Sequence, residues 1–118
     1  MSDVPTKIKV KTGSGCIELC YDDGEIHRLS FEFLRVFSPS AEVRGHGPGS
    51  EVLQHGKKQV VVKNIEPVGN YAVKFIFSDG HDSGIYSWAL LKEFCSNQVG
   101  LWNEYLSKLE LANKTRLP

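Results

Sequence analysis

Tyr71, Val73, Phe75 and Phe77 alternate with Ala72, Lys74, Ile76 and Ser78, and no other feature of the chain constrains its fold as tightly. A period-two pattern of this kind reads as a strand with one face against a core. Asp79-Gly80 follows at once, a dipeptide that favours a tight reversal. A short return strand is therefore expected around Ser83 to Tyr86, which makes an antiparallel hairpin the centre of the fold. Upstream, Gln59 to Ile65 is rich in valine and strand-like, and Pro67-Val68-Gly69-Asn70 supplies the turn between the two.

The first third repeats this grammar. Ile8 and Val10 alternate with lysines, Thr12-Gly13-Ser14-Gly15 is a turn cluster, and Ile17, Leu19 and Tyr21 alternate with Cys16, Glu18 and Cys20. Asp22-Asp23-Gly24 predicts a three-residue hairpin loop, with Glu25 to Leu29 as the partner strand. Ser30 is a good N-cap for a short helix from Phe31 to Phe37, which Pro39 then stops. Arg44 to Gly56 holds four glycines, a proline and two histidines and is expected to be a mobile loop. Ser87 caps a second helix carrying Trp88, Leu91 and Cys95 on one face. Gly100 is expected to end it, and Leu101, Trp102, Tyr105, Leu106 and Leu109 make a terminal amphipathic helix. The sum is an α+β domain over 6–113, with tails at 1–5 and 114–118. It is mainly an antiparallel sheet, with a short helix after the first strands and two C-terminal helices packed on it.

At 118 residues, 41% of them hydrophobic, the chain can bury one core without staples. Fourteen basic side chains balance fourteen acidic ones, which argues against nonspecific binding to nucleic acid or to an anionic membrane surface. Lys7, Lys9 and Lys11 fit an edge strand protected by charge. The three cysteines, Cys16, Cys20 and Cys95, include no CxxC pair. The first residues lack a basic region followed by an apolar run, and no stretch approaches a membrane span. A cytoplasmic protein with reduced thiols is expected.

Candidate chemistry gathers in Ser78–Trp88, where a histidine, two aspartates and three serines sit on a strand–turn–helix corner. His81 is the histidine whose surroundings suggest a binding role. His27, His46 and His55 match no metal-ligand spacing and read as surface residues. A catalyst assembled from Cys95 or Ser83 with His81 and Asp82 is disfavoured. Adjacent strand residues point to opposite faces, Cys95 occupies an apolar helical position, and there is no GxSxG elbow. Gly45-x-Gly47-x-Gly49 lacks the strand, lysine and helix of a phosphate loop. Tyr86, Trp88, Trp102 and Tyr105 read as core aromatics rather than a ligand wall.

Several of these pieces carry a family resemblance: Gly24-Glu25-Ile26-His27-Arg28-Leu29, Phe31-Glu32-Phe33-Leu34-Arg35, the run His81 to Leu91, and Leu101-Trp102-Asn103-Glu104-Tyr105-Leu106. Over about residues 6 to 110 the chain resembles the small N-terminal domain of γ-butyrobetaine and trimethyllysine dioxygenases, a domain also found alone in bacteria. In those enzymes the resemblance implies a zinc held by a Cys-x-Cys-x-x-Cys run and a histidine. Laid on this chain, the run falls at Ser38, Ser40 and Val43, and the histidine at His81. Only the histidine is a zinc ligand, so the family's zinc site is expected to be lost and no cofactor is required. The iron and 2-oxoglutarate chemistry of those enzymes belongs to a larger domain with no counterpart in these residues. The module also resembles one appended to Mrp-type ATPases, which implies, as an alternative, an accessory role in iron–sulfur metabolism.

The expected function is a non-enzymatic interaction module, binding a partner protein or a small acidic ligand through His81, Asp82, Ser83, Arg35, Arg44 and Tyr86, with Ser38 beside them. Arg35 and Arg44 would supply fork-shaped donors. The rival is weak iron or zinc binding by His81 with Asp82, Asp79 or His46.

Overall fold

The computed structural model describes residues 3–45 and 49–118. Strands β1 (Lys7–Lys11), β2 (Cys16–Cys20) and β3 (Ile26–Ser30) form one antiparallel sheet in that order. Helices α1 (Phe31–Val36) and α2 (Ala41–Arg44) follow. Strands β4 (Val62–Val68), β5 (Ala72–Phe77) and β6 (Ile85–Ser87) form a second antiparallel sheet, and helix α3 (Trp88–Leu111) completes the α+β fold. The strands expected from alternation are present, but they are divided between two three-stranded sheets rather than joined in one. Val73, Phe75 and Phe77 of β5 are all buried, as their spacing requires.

Local signals set the boundaries. Gly24 (φ 88°) turns β2 into β3, and Gly80 (φ 88°) turns β5 toward β6; both conformations are open to glycine and costly for other residues. Ser30 Oγ accepts the amide of Phe33 at 3.0 Å and caps α1. Ser87 Oγ accepts that of Leu90 at 3.1 Å and caps α3. β4 runs through Pro67 to Val68, beyond the expected turn. It is an edge strand, where a residue lacking N–H is tolerated.

The two sheets and two helices share one apolar cluster. Ile17, Leu19 and Leu29 come from the first sheet, Phe75, Phe77 and Tyr86 from the second, Leu34 from α1, and Leu91 and Phe94 from α3. Each such side chain contributes about 1.5–3 kcal/mol on burial. β2 departs from simple alternation: Cys16, Ile17, Glu18 and Leu19 are all buried, because β1 and β3 flank it on both edges. Cys16, Cys20 and Cys95 are free thiols.

The expected pair of C-terminal helices is a single helix of 24 residues. Gly100 lies within it, facing open space. A mid-helix glycine costs about 1 kcal/mol against alanine. Packing on both sides outweighs that, through Leu91, Phe94 and Cys95 before it and Tyr105 and Leu109 after.

Residues 114–118, expected as a tail, are docked. The amides of Gly56 and Lys58 donate to the carbonyls of Thr115 and Arg116 at 2.9 and 3.0 Å. Arg116 Nε and Nη2 donate to the two carboxylate oxygens of buried Glu32 at 2.8 and 2.7 Å, and the guanidinium lies 5.3 Å from the Trp102 ring centre. Arg116→Ala strands a buried carboxylate. The Arg116 side chain is 37% exposed, so water screens the pair, and the expected loss is about 1–2 kcal/mol rather than the larger penalty of a fully buried pair. Urea unfolding measures it, and adding Glu32→Gln should restore part of the loss.

Candidate functional site

The corner is built where the end of α1 meets the β5–β6 turn. Pro39 disfavours helix at Ser38, and the chain restarts at Ser40, whose Oγ accepts the Glu42 amide at 3.1 Å and caps α2. From the other side, the turn at Gly80 delivers His81. Ser38 Oγ and His81 Nε2 are 2.8 Å apart, and His81 Nδ1 lies 3.2 Å from Glu42 Oε2. The carboxylate assigns the tautomer: Nδ1–H donates to Glu42, and Nε2 accepts the Ser38 hydroxyl proton. Ser40 and Ser83 share a second hydrogen bond of 2.7 Å across the same seam. The Tyr86 hydroxyl, inside the core, donates to the Leu34 carbonyl.

A charged chain runs alongside. Asp79 Oδ2 accepts from Arg35 Nε and from Lys57 Nζ, both at 2.9 Å, while Oδ1 accepts the His81 amide at 3.2 Å. Desolvation pushes the Asp79 carboxyl up. Lys57, the His81 amide and Arg35 outweigh it and hold the pKa at about 2. Burial is the main cause that lowers the pKa of His81. The positive charge of Arg35 adds to it, against a partial pull upward from Glu42, so the imidazole is neutral at pH 7. Arg35 also donates through Nη1 to Gln54 Oε1 at 2.9 Å. Gln54 in turn donates to the Val52 carbonyl at 2.9 Å, and its own carbonyl accepts the Tyr105 hydroxyl at 2.7 Å. Segment 51–54, expected to be part of a mobile loop, is thus pinned by Arg35 and Tyr105, with Val52 N donating to the Val43 carbonyl at 2.8 Å.

Beside this framework lies an open groove of about 470 Å³, bounded by the end of α1, α2, segment 51–54 and the last turns of α3. Val36, Phe37, Val43, Val52 and Leu53 give it apolar walls. Arg44, Glu51 and Lys108 supply charges, and Ser38 and Tyr105 border it.

The structure brings Arg35, His81, Ser83 and Tyr86 into one corner, together with Ser38. Arg35 and His81 are buried, with their polar atoms engaged inside the protein. Asp82 and Arg44 are exposed, and Arg44 faces the groove. His27 and His55 do not join the corner: His27 lies against the Tyr21 ring, 5.9 Å between centres, and His55 is exposed. His46 falls outside the described residues, as does part of the Gly45-x-Gly47-x-Gly49 run. Sequence reasoning missed Glu42 and Gln54, which lie 39 and 19 positions from the residues they bind and carry no local signal. Sequence reasoning also missed α2, although Ser40 is of the residue type that caps a helix.

Ser38, His81 and Glu42 follow the order hydroxyl, imidazole, carboxylate that activates a nucleophile. Chemistry there requires a substrate atom at Ser38 Oγ. Ser38 is fully buried, and Gly84 packs so closely that a methyl group on it would collide with Ser38 Oγ. The arrangement ties two elements together and leaves no room for a tetrahedral adduct. Nor does the corner suit the family's zinc. Ser38, Ser40 and Val43 offer hydroxyls and hydrocarbon, and His81 has already committed both ring nitrogens. Among the described residues, no three His, Cys, Asp or Glu side chains gather within ligating reach. Cys95 is a core thiol that burial raises to a pKa of about 11, far from the thiolate a nucleophile needs.

Comparison with known proteins fixes the lineage. Residues 8–92 match the model of the γ-butyrobetaine hydroxylase-like, N-terminal family. The chain belongs to this family. Three solved structures resemble it. Two are small proteins determined in solution by NMR. One is 44% identical, with a TM-score of 0.84 over 98% of this chain and 90% of its own. The other is 51% identical, with a TM-score of 0.82 over 100% and 89%. The third is a crystal structure of a protein of unknown function from Acidithiobacillus ferrooxidans, 37% identical, with a TM-score of 0.65 over 77% of this chain and 91% of its own. No curated protein matches. Among the described residues, no helix is long and apolar enough to cross a membrane.

Proposed function

We propose that this member of the γ-butyrobetaine hydroxylase-like N-terminal family is a non-catalytic binding module, and that its ligand or partner enters the groove bordered by Ser38 and Arg44. The observation that carries the reading is the groove itself, whose volume falls within the range of small-molecule sites. Its walls are preformed. Arg35 and Tyr105 hold segment 51–54, and the Ser38–His81 and Ser40–Ser83 bonds hold the start of α2 against the β5–β6 turn. Arg35 and His81 therefore act as positioning residues, and Arg44 is the fork-shaped donor left facing outward.

Amide chemical shifts of the full-length chain, recorded while adding a library of small organic fragments and short acidic peptides, test the reading. Shifts should cluster at 36–38, 43–44, 51–54 and 105–108. Shifts confined to the β1–β3 sheet would overturn it.

A further inference from the structure

We infer that the groove is built for a medium-chain monocarboxylate, its apolar chain lying against Phe37, Val43 and Leu53 and its carboxylate on Arg44; the inference rests on the binding-module reading above. The charges at the groove decide between head groups. Lys108 is already paired with Glu104 at 3.7 Å on the same helix. Among the described residues Arg44 has no ion-pair partner, although it lines an apolar groove. A guanidinium in that position matches a carboxylate through two parallel N–H donors. Glu51 also lines the groove; Arg44 offsets its repulsion for one carboxylate, but among the described lining residues no further unpaired cation offsets it for a second, so a dicarboxylate is disfavoured where a monocarboxylate is accepted. Much of the groove's lining is hydrocarbon, from Val36, Phe37, Val43, Val52 and Leu53. The Tyr105 hydroxyl is spent on the Gln54 carbonyl and the Gln54 amide on Val52, which leaves hydrocarbon to meet hydrocarbon.

The test is an amide-shift titration of the whole chain with octanoate, octanol, octylamine and suberate as the probes. Octanoate should shift residues 43–44 and 51–54 and bind about tenfold more tightly than octanol, the size of one solvent-screened charge-assisted contact. Arg44→Gln, an exposed substitution that leaves the core intact, should erase that difference. Suberate should bind more weakly than octanoate. Octanol binding as tightly as octanoate, or octylamine binding best, would overturn the carboxylate assignment while leaving the groove as the binding site. Octanoate shifts confined to residues outside the groove would overturn both the inference and the module reading. No shift with any of the four probes would overturn the inference alone, the fragment and peptide titration then deciding the module reading.

Discussion

Asp79→Ala should cost about 3 kcal/mol of folding stability at neutral pH, because it leaves the Arg35 guanidinium buried without its counter-charge. Arg35 has a side chain only 9% exposed, and Asp79 faces it at 2.9 Å. The same substitution removes the acceptor for the His81 amide and the anchor of Lys57. Urea unfolding reads the change, and a loss under about 1 kcal/mol would show that Gln54 alone satisfies the guanidinium. The pH profile gives an independent check. The carboxyl of Asp79 is held at about 2 in the folded chain, below its ordinary value near 3.9. Its stabilising contribution is therefore complete above about pH 4 and drains away as the pH falls toward 2. That contribution is about 2 kcal/mol. The wild-type chain should lose this increment on acidification over that window, and the alanine variant should lose correspondingly less.

Gly84→Ala should cost about 2 kcal/mol, typical of overpacking at a tight contact. The glycine is not there for its backbone angles: it is not among the positive-φ glycines. The reason is space. A methyl group would collide with Ser38 Oγ and press on Pro39 Cδ and Tyr86 Cε1, each 3.2 Å away. If the Ser38 hydroxyl swings aside, His81 Nε2 loses its partner inside the protein. Ser38→Ala should itself be destabilising for that reason, by about 1–3 kcal/mol. The two changes share one mechanism, so the double variant should be more stable than the sum of the singles requires, by about 1 kcal/mol. A strictly additive cycle would place the strain on Pro39 or Tyr86 instead.

What was legible in the sequence was local. Ser30 and Ser87 read as caps because a short hydroxyl before an apolar run satisfies a free amide. Gly24 and Gly80 read as turns because they follow alternating segments. The alternation from Tyr71 to Ser78 gave β5 and its inward face. What stayed hidden depends on pairings far apart along the chain. Nothing near Glu42 says that it will meet His81, and nothing near Gln54 says that Arg35 and Tyr105 will seize it from two directions. Gly100 misled for a related reason: its cost is local and certain, whereas the packing that overrides it comes from the rest of the fold. The histidine of the corner was visible in advance. That its Nε2 meets Ser38, where the family resemblance places a cysteine, needed the structure.

The Glu32–Arg116 pair has a consequence for the order of events during synthesis. Glu32 lies in the first helix to be made, and the only cation bonded to it among the described residues arrives 84 positions later. A nascent chain that has emerged as far as α3 can bring both sheets together. It must still carry the Glu32 carboxylate either in water, with α1 loosely seated, or buried and unpaired at a cost. Until the segment around Arg116 is made, the closure of α1 against the body of the protein is therefore about 1–2 kcal/mol less favourable than in the finished chain. Any C-terminal shortening or bulky fusion at that point acts, through one carboxylate, on the helix from which the groove begins.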